Sequence, residues 1–146
     1  MQSIRIIEIP AGKAVSSGVG MFGEEKFDGF GDWFSSLPRE AWPRDYLFFE
    51  NGGMHWIYLL REGILPPEGY AVIDFDGGLY AVATDIDQAT DMDAMAKAVD
   101  AFLADHGLVR DSSRPDLGNV ISSPAAAEIL GYEQMDYYTP IKKKEV

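Results

Sequence analysis

No cysteine occurs anywhere in the 146-residue chain. That excludes a disulfide framework, a thiolate nucleophile and a zinc–thiolate site. Basic residues are scarce: 12 Lys and Arg stand against 24 Asp and Glu, a formal charge of -12. Neutralising phosphates needs basic surface, so nucleic acid and anionic membranes are not expected partners. The acidic excess favours solubility and is compatible with cationic ligands. Long apolar runs are missing too. None approaches the ~18 residues of a membrane span, and the N-terminal MQSIRIIEIP lacks the apolar stretch of a signal peptide. A cytoplasmic location is the expectation. Histidine is limited to His55 and His106. Neither has a second partner in sequence, so both read as structural residues, and no metal site is expected. The run Asp85, Asp87, Asp91 and Asp93 fails the calcium-loop register, with Thr90 where glycine is needed and Ala96 where glutamate is needed. No glycine-rich phosphate loop and no Ser–His–Asp spacing can be read, and no cofactor is expected.

What is present is apolar and aromatic. Hydrophobic residues make up 47% and aromatic residues 12%, with eight Phe, seven Tyr and three Trp. That is sufficient for a packed core in one domain spanning 1–146. Alternation predicts strands over 2–9, 13–19, 46–50, 54–60, 70–75, 79–86, 117–122 and 134–141. Phe27, Phe30, Trp33, Phe34 and Leu37 form one helical stripe, and Met95, Val99, Phe102 and Leu103 form another. Gly29 and Gly31 weaken the first helix and allow close approach of another element or a ligand. Thr90, Asp91 and Asp93 cap the second helix, and Gly107 ends it. A short helical turn is expected over 124–131. Asn51-Gly52-Gly53 and Asp76-Gly77-Gly78 both carry hairpin chemistry, so 79–86 is expected to pair back on 70–75. The final KKKE reads as a solvated tail.

Laid side by side, the two halves repeat. Each reads strand, helix, strand, strand behind a lead-in strand, with boundaries near 1–66 and 67–146. The expected fold class is α+β: two strand-helix-strand-strand repeats forming one antiparallel sheet with two helices on one side. A pocket would form in the groove between the helices.

The segments Phe75-Asp76-Gly77-Gly78-Leu79-Tyr80-Ala81-Val82, Arg114-Pro115-Asp116-Leu117 and Gly131-Tyr132-Glu133-Gln134-Met135-Asp136-Tyr137-Tyr138-Thr139-Pro140-Ile141-Lys142 carry a family resemblance. The chain resembles the GyrI-like small-molecule-binding domains, the effector-binding domains of AraC-type and MerR-type regulators. The resemblance runs over the whole chain and is clearer in the second half. It implies an aromatic cleft at a pseudo-twofold interface that binds hydrophobic or cationic compounds. It also implies a stand-alone sensor or sequestering module, since the chain has no room for a DNA-binding domain. Some stand-alone relatives act on other proteins, and a subgroup hydrolyses strained cyclopropane-bearing toxins with a Glu in the cleft. Inhibition of a partner protein and hydrolysis of a strained electrophile are therefore the alternative functions. Either a monomer or a homodimer is compatible. Many relatives carry a Glu three residues after the Pro of the second half. Here that position is Gly118, and repeat symmetry offers Glu50 as the substitute and the one catalytic candidate.

The ligand-site candidates follow from this plan. Trp56 and Tyr58 lie two apart on one strand face, where they could form stacking walls. Trp33 lies on the helix stripe. Phe48 and Glu50 share a strand face, where a carboxylate beside a ring attracts a cation. Tyr80 and Tyr137 could each point a hydroxyl into the cleft, and Asn119, next to Gly118, could offer an amide.

Overall fold

The computed structural model describes residues 3–145. The expected strand over 2–9 thus has its first residue outside the described range. The chain divides into two compact units. A middle unit is Pro10–Gly77, and an outer unit combines the first strand with the chain from Gly78 onward.

In the middle unit the elements are β2 (Gly12–Gly20), α1 (Glu25–Ser36), β3 (Asp45–Glu50), β4 (Gly53–Leu59) and β5 (Ala71–Phe75). The sheet order is β3-β4-β2-β5, antiparallel throughout. The β3–β4 connection is the expected Asn-Gly hairpin: Asn51 has φ 49° and Gly52 has φ 80°. Such left-handed pairs match the twist of the flanking strands. Strand β2 shifts register between Ser16 and Val19. Gly18 takes φ 72° there, a left-handed value that glycine adopts without steric cost. Ser17 Oγ accepts the Trp56 N–H at 2.9 Å, so the bulge leaves the ladder donor satisfied.

The outer unit contains β1 (Ile4–Ile9), β6 (Gly78–Ile86), α2 (Met92–Asp105), β7 (Leu108–Arg110), β8 (Leu117–Val120), α3 (Pro124–Leu130) and β9 (Gln134–Lys143). Its order is β1-β6-β9-β8, again antiparallel, with β7 also on β9. The repeat is real: β2, α1, β3, β4 and β6, α2, β8, β9 share one plan, with the last strand between the other two. Strand β7, which turn-rich sequence around it disguises, and the short helix α3 are additions to that plan. Two of the tail lysines belong to β9, because Lys142 and Lys143 pair with Val109 and Leu108.

One pairing differs from expectation. Asp76-Gly77-Gly78 does not close a β5–β6 hairpin. Strand β5 pairs with β2, from Gly12↔Phe75 to Ser16↔Ala71, and β6 pairs with β1 and β9. Each lead-in strand is thus held by the unit whose other strands lie further away in sequence. The positive φ of Gly77 (67°) and Gly78 (126°) has a different use. A Cβ on Gly78 would lie 2.6 Å from the Arg114 guanidinium, whose Nη2 donates to the Leu79 and Ile141 carbonyls at 3.0 Å each.

Helix α1 follows its stripe, and its first turn carries Glu25 and Asp28. Asp28 Oδ1 accepts the Gly23 N–H at 2.9 Å. The helix ends before Pro38, with Leu37 as C-cap. Phe30 is buried with Val15 and Tyr58, and Trp33, Phe34 and Trp56 pack around them. Helix α2 is capped by Asp91 rather than Thr90: Asp91 Oδ1 accepts the Ala94 N–H at 3.0 Å, while the Thr90 hydroxyl donates to the Ile86 carbonyl. Met95, Val99 and Leu103 bury against Ala81, Ala83 and Ile141.

The glycines of α1 do permit close approach. A Cβ on Gly31 would lie 2.9 Å from Trp56 Cζ3, and one on Gly29 would lie 2.6 Å from Tyr70 Oη. Alanine gains up to ~1 kcal/mol of helix propensity over glycine. Trp56 is a rigid ring wedged among Phe27, Phe30 and Phe34, so overpacking should exceed that gain. Gly31→Ala is expected to lower the urea midpoint; an unchanged or raised midpoint would show that the ring moves freely.

Candidate functional site

The side-chain period of two, together with the observed registers, sorts every expected site residue on a strand onto one of two sheet faces. In the middle unit, Val15, Trp56 and Tyr58 face α1. Trp33 meets Tyr58 edge-on at 5.5 Å and Phe30 at 5.7 Å. Trp56 lies within 6 Å of Phe22, Phe27, Phe30 and Phe34. Trp33, Trp56 and Tyr58 are therefore joined in one aromatic cluster between α1 and its sheet. Tyr58 is fully buried there, so its ring packs the core.

Asp45 lies on the same face, opposite Tyr58 across the β3–β4 ladder. Its Oδ2 accepts the Trp56 indole N–H at 3.0 Å. Burial pushes the Asp45 carboxyl up to about 6, and the indole hydrogen bond opposes the shift.

The other face of the middle sheet has a different character. Tyr46, Phe48 and Glu50 of β3 alternate onto it, as do His55 of β4, Ser16 of β2 and Phe75 of β5. Tyr46 and Phe75 are nearly parallel, 8° between planes at 6.3 Å. The Phe48 ring lies 4.7 Å from the His55 ring. His55 Nδ1 is 2.6 Å from Glu50 Oε2, and His55 Nε2 is 2.5 Å from Ser16 Oγ. Phe48 and Glu50 thus meet through His55, a residue read from sequence as structural. The Ser16–His55 contact joins residues 39 apart. It depends on the β2–β4 register, which local patterning does not carry. The available signal was polar residues at strand positions, Ser16-Ser17 and His55, in otherwise apolar runs.

The outer unit divides the same way. Tyr137 pairs with Ala83 on the α2 face, and its hydroxyl lies 3.1 Å from Thr90 Oγ1. Tyr80 and Asn119 take the opposite face. The Arg114 guanidinium sits 4.7 Å over the Tyr80 ring, and Tyr80 meets Tyr138 edge-on at 6.2 Å. Tyr138 Oη donates to Asn119 Oδ1 at 3.1 Å. Arg5, Thr84 and Asp136 form a further polar group, with Arg5 Nη2 3.1 Å from Asp136 Oδ2. Tyr80 and Tyr137, read as equivalent from sequence, therefore point to opposite faces. Gly118 pairs with Tyr137. A Cβ there would lie 2.6 Å from the terminal methyl of Met135, so glycine at this position makes room for the methionine.

The eight residues fall into two groups of four. Trp33, on α1, meets the helix-side sheet face that carries Trp56 and Tyr58, and Tyr137 lies on the α2 side of its own sheet; Phe48, Glu50, Tyr80 and Asn119 face away from the helices. Of the buried polar side chains, Ser16, His55, Asn119 and Asp136 lie on the faces turned away from the helices, while Asp45 and Thr139 lie on the helix faces. A face that buries polar groups in satisfied hydrogen bonds can hold a ligand by directed contacts. Among the described residues, no cluster of three or more His, Asp or Glu side chains has the grouping a metal ion needs. Among the described residues, no helix is long and apolar enough to cross a membrane.

No protein-family model matches the sequence, and no curated protein matches it. Solved structures do share the fold. The chain is similar to a hydrolase from Listeria innocua at TM-score 0.68 and 10% identity, over 95% of this chain and 91% of that one. It is similar to the C-terminal domain of EcmrR at TM-score 0.63 and 9% identity, over 98% and 99% of the two chains. It is also similar to SAV2435, solved bound to tetraphenylphosphonium, at TM-score 0.50 and 11% identity, over 96% and 94%. These likenesses establish a shared α+β fold.

Proposed function

We propose that the protein is a GyrI-like binding module for a small hydrophobic or cationic organic molecule, acting as a sensor or sequestering protein. The observation that carries this reading is the face of the middle sheet opposite α1. There the Phe48 ring and the half-exposed Glu50 carboxylate converge on His55, with the Tyr46–Phe75 pair on the same face. Rings supply apolar area and a quadrupole, and the carboxylate supplies the counter-charge for a cation. The acidic excess of the chain raises the local concentration of cations further. The fold shared with the EcmrR domain and with tetraphenylphosphonium-bound SAV2435 supports the same reading.

Titration with tetraphenylphosphonium, followed by calorimetry and by melting temperature, tests it. A ligand at one hundred times its Kd adds about 2.7 kcal/mol to stability, a rise of several degrees for a chain of this size. Glu50→Gln should weaken binding about tenfold, the loss of one charge-assisted contact at a partly exposed site. No heat and no melting shift with tetraphenylphosphonium or with a panel of lipophilic cations would overturn the proposal.

A further inference from the structure

Glu50 does not stand alone on its face. Its Oε2 is 2.6 Å from His55 Nδ1, His55 Nε2 is 2.5 Å from Ser16 Oγ, and Ser16 Oγ accepts the Gly18 N–H at 3.0 Å. The connectivity is that of a serine–histidine–carboxylate relay. Its depth runs the other way. Ser16 is 5% exposed, His55 is buried, and the Glu50 side chain is 43% exposed. A nucleophilic serine must be the member that meets substrate, and here the serine is innermost, with its oxygen already accepting a backbone amide. The outermost and reachable group is the carboxylate.

The proton positions follow from the partners. A carboxylate can only accept, so the short Glu50–His55 contact places a proton on Nδ1. In the neutral ring Nε2 is then an acceptor, and the Ser16 hydroxyl donates its hydrogen bond to it. The donors all run one way: Gly18 N–H to Ser16 Oγ, Ser16 O–H to His55 Nε2, His55 Nδ1–H to Glu50. The chain starts at the bulge in β2, where the positive φ of Gly18 turns its amide onto Ser16. It ends on the residue preceding the β3–β4 turn. Phe48 covers the imidazole from the neighbouring strand.

We infer that Ser16 and His55 are positioning residues that fix Glu50 as the anionic, cation-selecting end of the ligand site. The inference rests on the binding reading above and adds the source of its charge selectivity. A glutamate three bonds from the backbone, next to a turn, would otherwise spread over many rotamers, and ordering it on binding would weaken the cation's advantage. The relay orders it beforehand.

Two measurements test this on the full chain. The first compares tetraphenylphosphonium with neutral triphenylphosphine oxide. In the wild type the cation is expected to bind at least tenfold more tightly. His55→Phe keeps a ring under Phe48 but removes the donor, and should cut that ratio at least fivefold while affinity for the neutral compound is retained. His55→Asn places an amide N–H near the Nδ1 position and should recover most of the ratio. His55→Gln, which reaches toward the Nε2 position instead, should not. An unchanged ratio in His55→Phe overturns the assignment and leaves the binding reading standing. Failure of both compounds to bind the wild type overturns the two together. The second measurement needs no ligand and no variant. Long-range nitrogen–proton NMR correlations of the wild type at pH 8 should show His55 as the Nδ1–H tautomer, the less common form of a free imidazole. Finding the Nε2–H tautomer would overturn the relay even if a variant failed to fold.

Discussion

Phe30→Ala is expected to destabilise the protein by about 3–5 kcal/mol. Phe30 is 0% exposed and sits on the α1 face that meets the middle sheet. Its ring centroid is 5.2 Å from Trp56, 5.7 Å from Trp33 and 5.9 Å from Tyr70. Removing it deletes one of the largest fully buried side chains and leaves a cavity walled by rings too rigid to collapse into it. Three edge or tilted aromatic contacts go with it, each adding about 0.5–1.5 kcal/mol beyond area burial. Urea denaturation followed by tryptophan fluorescence reads the effect, since two of the three tryptophans touch the deleted ring. Phe22→Ala is the control. Phe22 is 58% exposed while still meeting Phe27 and Trp56, and should lose under about 1.5 kcal/mol. Equal losses would mean that the ring cluster is not the core of this unit.

Asp45→Asn should act in the opposite direction. The Asp45 carboxyl is 6% exposed, and burial raises it from 3.8 to about 6. The folded form therefore holds its proton more tightly than the unfolded chain does. Stability from this group is fully present below 3.8 and is lost as the pH rises through about 6. The loss is on the order of 3 kcal/mol once the carboxylate is ionised. Asparagine keeps an oxygen for the Trp56 indole N–H and carries no charge to desolvate. The variant should be about 2–3 kcal/mol more stable than the wild type at pH 8, with the difference vanishing near pH 4. Urea midpoints of both proteins between pH 4 and 8 decide it. Parallel curves would show that burial of the charge is not what perturbs Asp45. Asp111 titrates with the other sign. The Ser113 hydroxyl and the Arg114 guanidinium hold it at about 2, so its contribution is complete above 3.8 and is lost as the pH falls through 2.

Much of this fold can be read along the chain. The alternation of Ile4 through Ile9, the stripe from Phe27 to Phe34 and the Asn51-Gly52 turn each act over a few residues, and each element lies within a residue or two of its expected place. The repeat is legible for the same reason. Gly29 and Gly31 signalled close approach correctly, against Tyr70 and Trp56. Partner choice is where local reading ends. Turn chemistry at Asp76-Gly77-Gly78 says that the chain bends, and nothing within ten residues says that β5 will pair with β2. The candidate site suffered from the same limit. Parity showed that Trp56 and Tyr58 share a face and that Phe48 and Glu50 share a face. It could not show that these are opposite faces of one sheet, because that requires the β3–β4 register. The Ser16↔Ile57 pairing is what puts Ser16 on the His55 face, and no pattern within either strand announces that register.

The exchanged lead-in strands have a consequence for the nascent chain. Everything that completes the middle unit has been synthesised once residue 77 emerges, so that unit can fold while the ribosome is still translating. Strand β1 is made first, yet its partner β6 begins at Gly78, and β9, which holds β6, β7 and β8 together, is made last. An isoleucine-rich strand therefore waits unpaired until the segment Gly78–Ile86 has been made. Such segments are what early-acting chaperones recognise. The charges at Arg5 and Glu8, set among the isoleucines, guard the strand against pairing with a neighbouring chain during that interval.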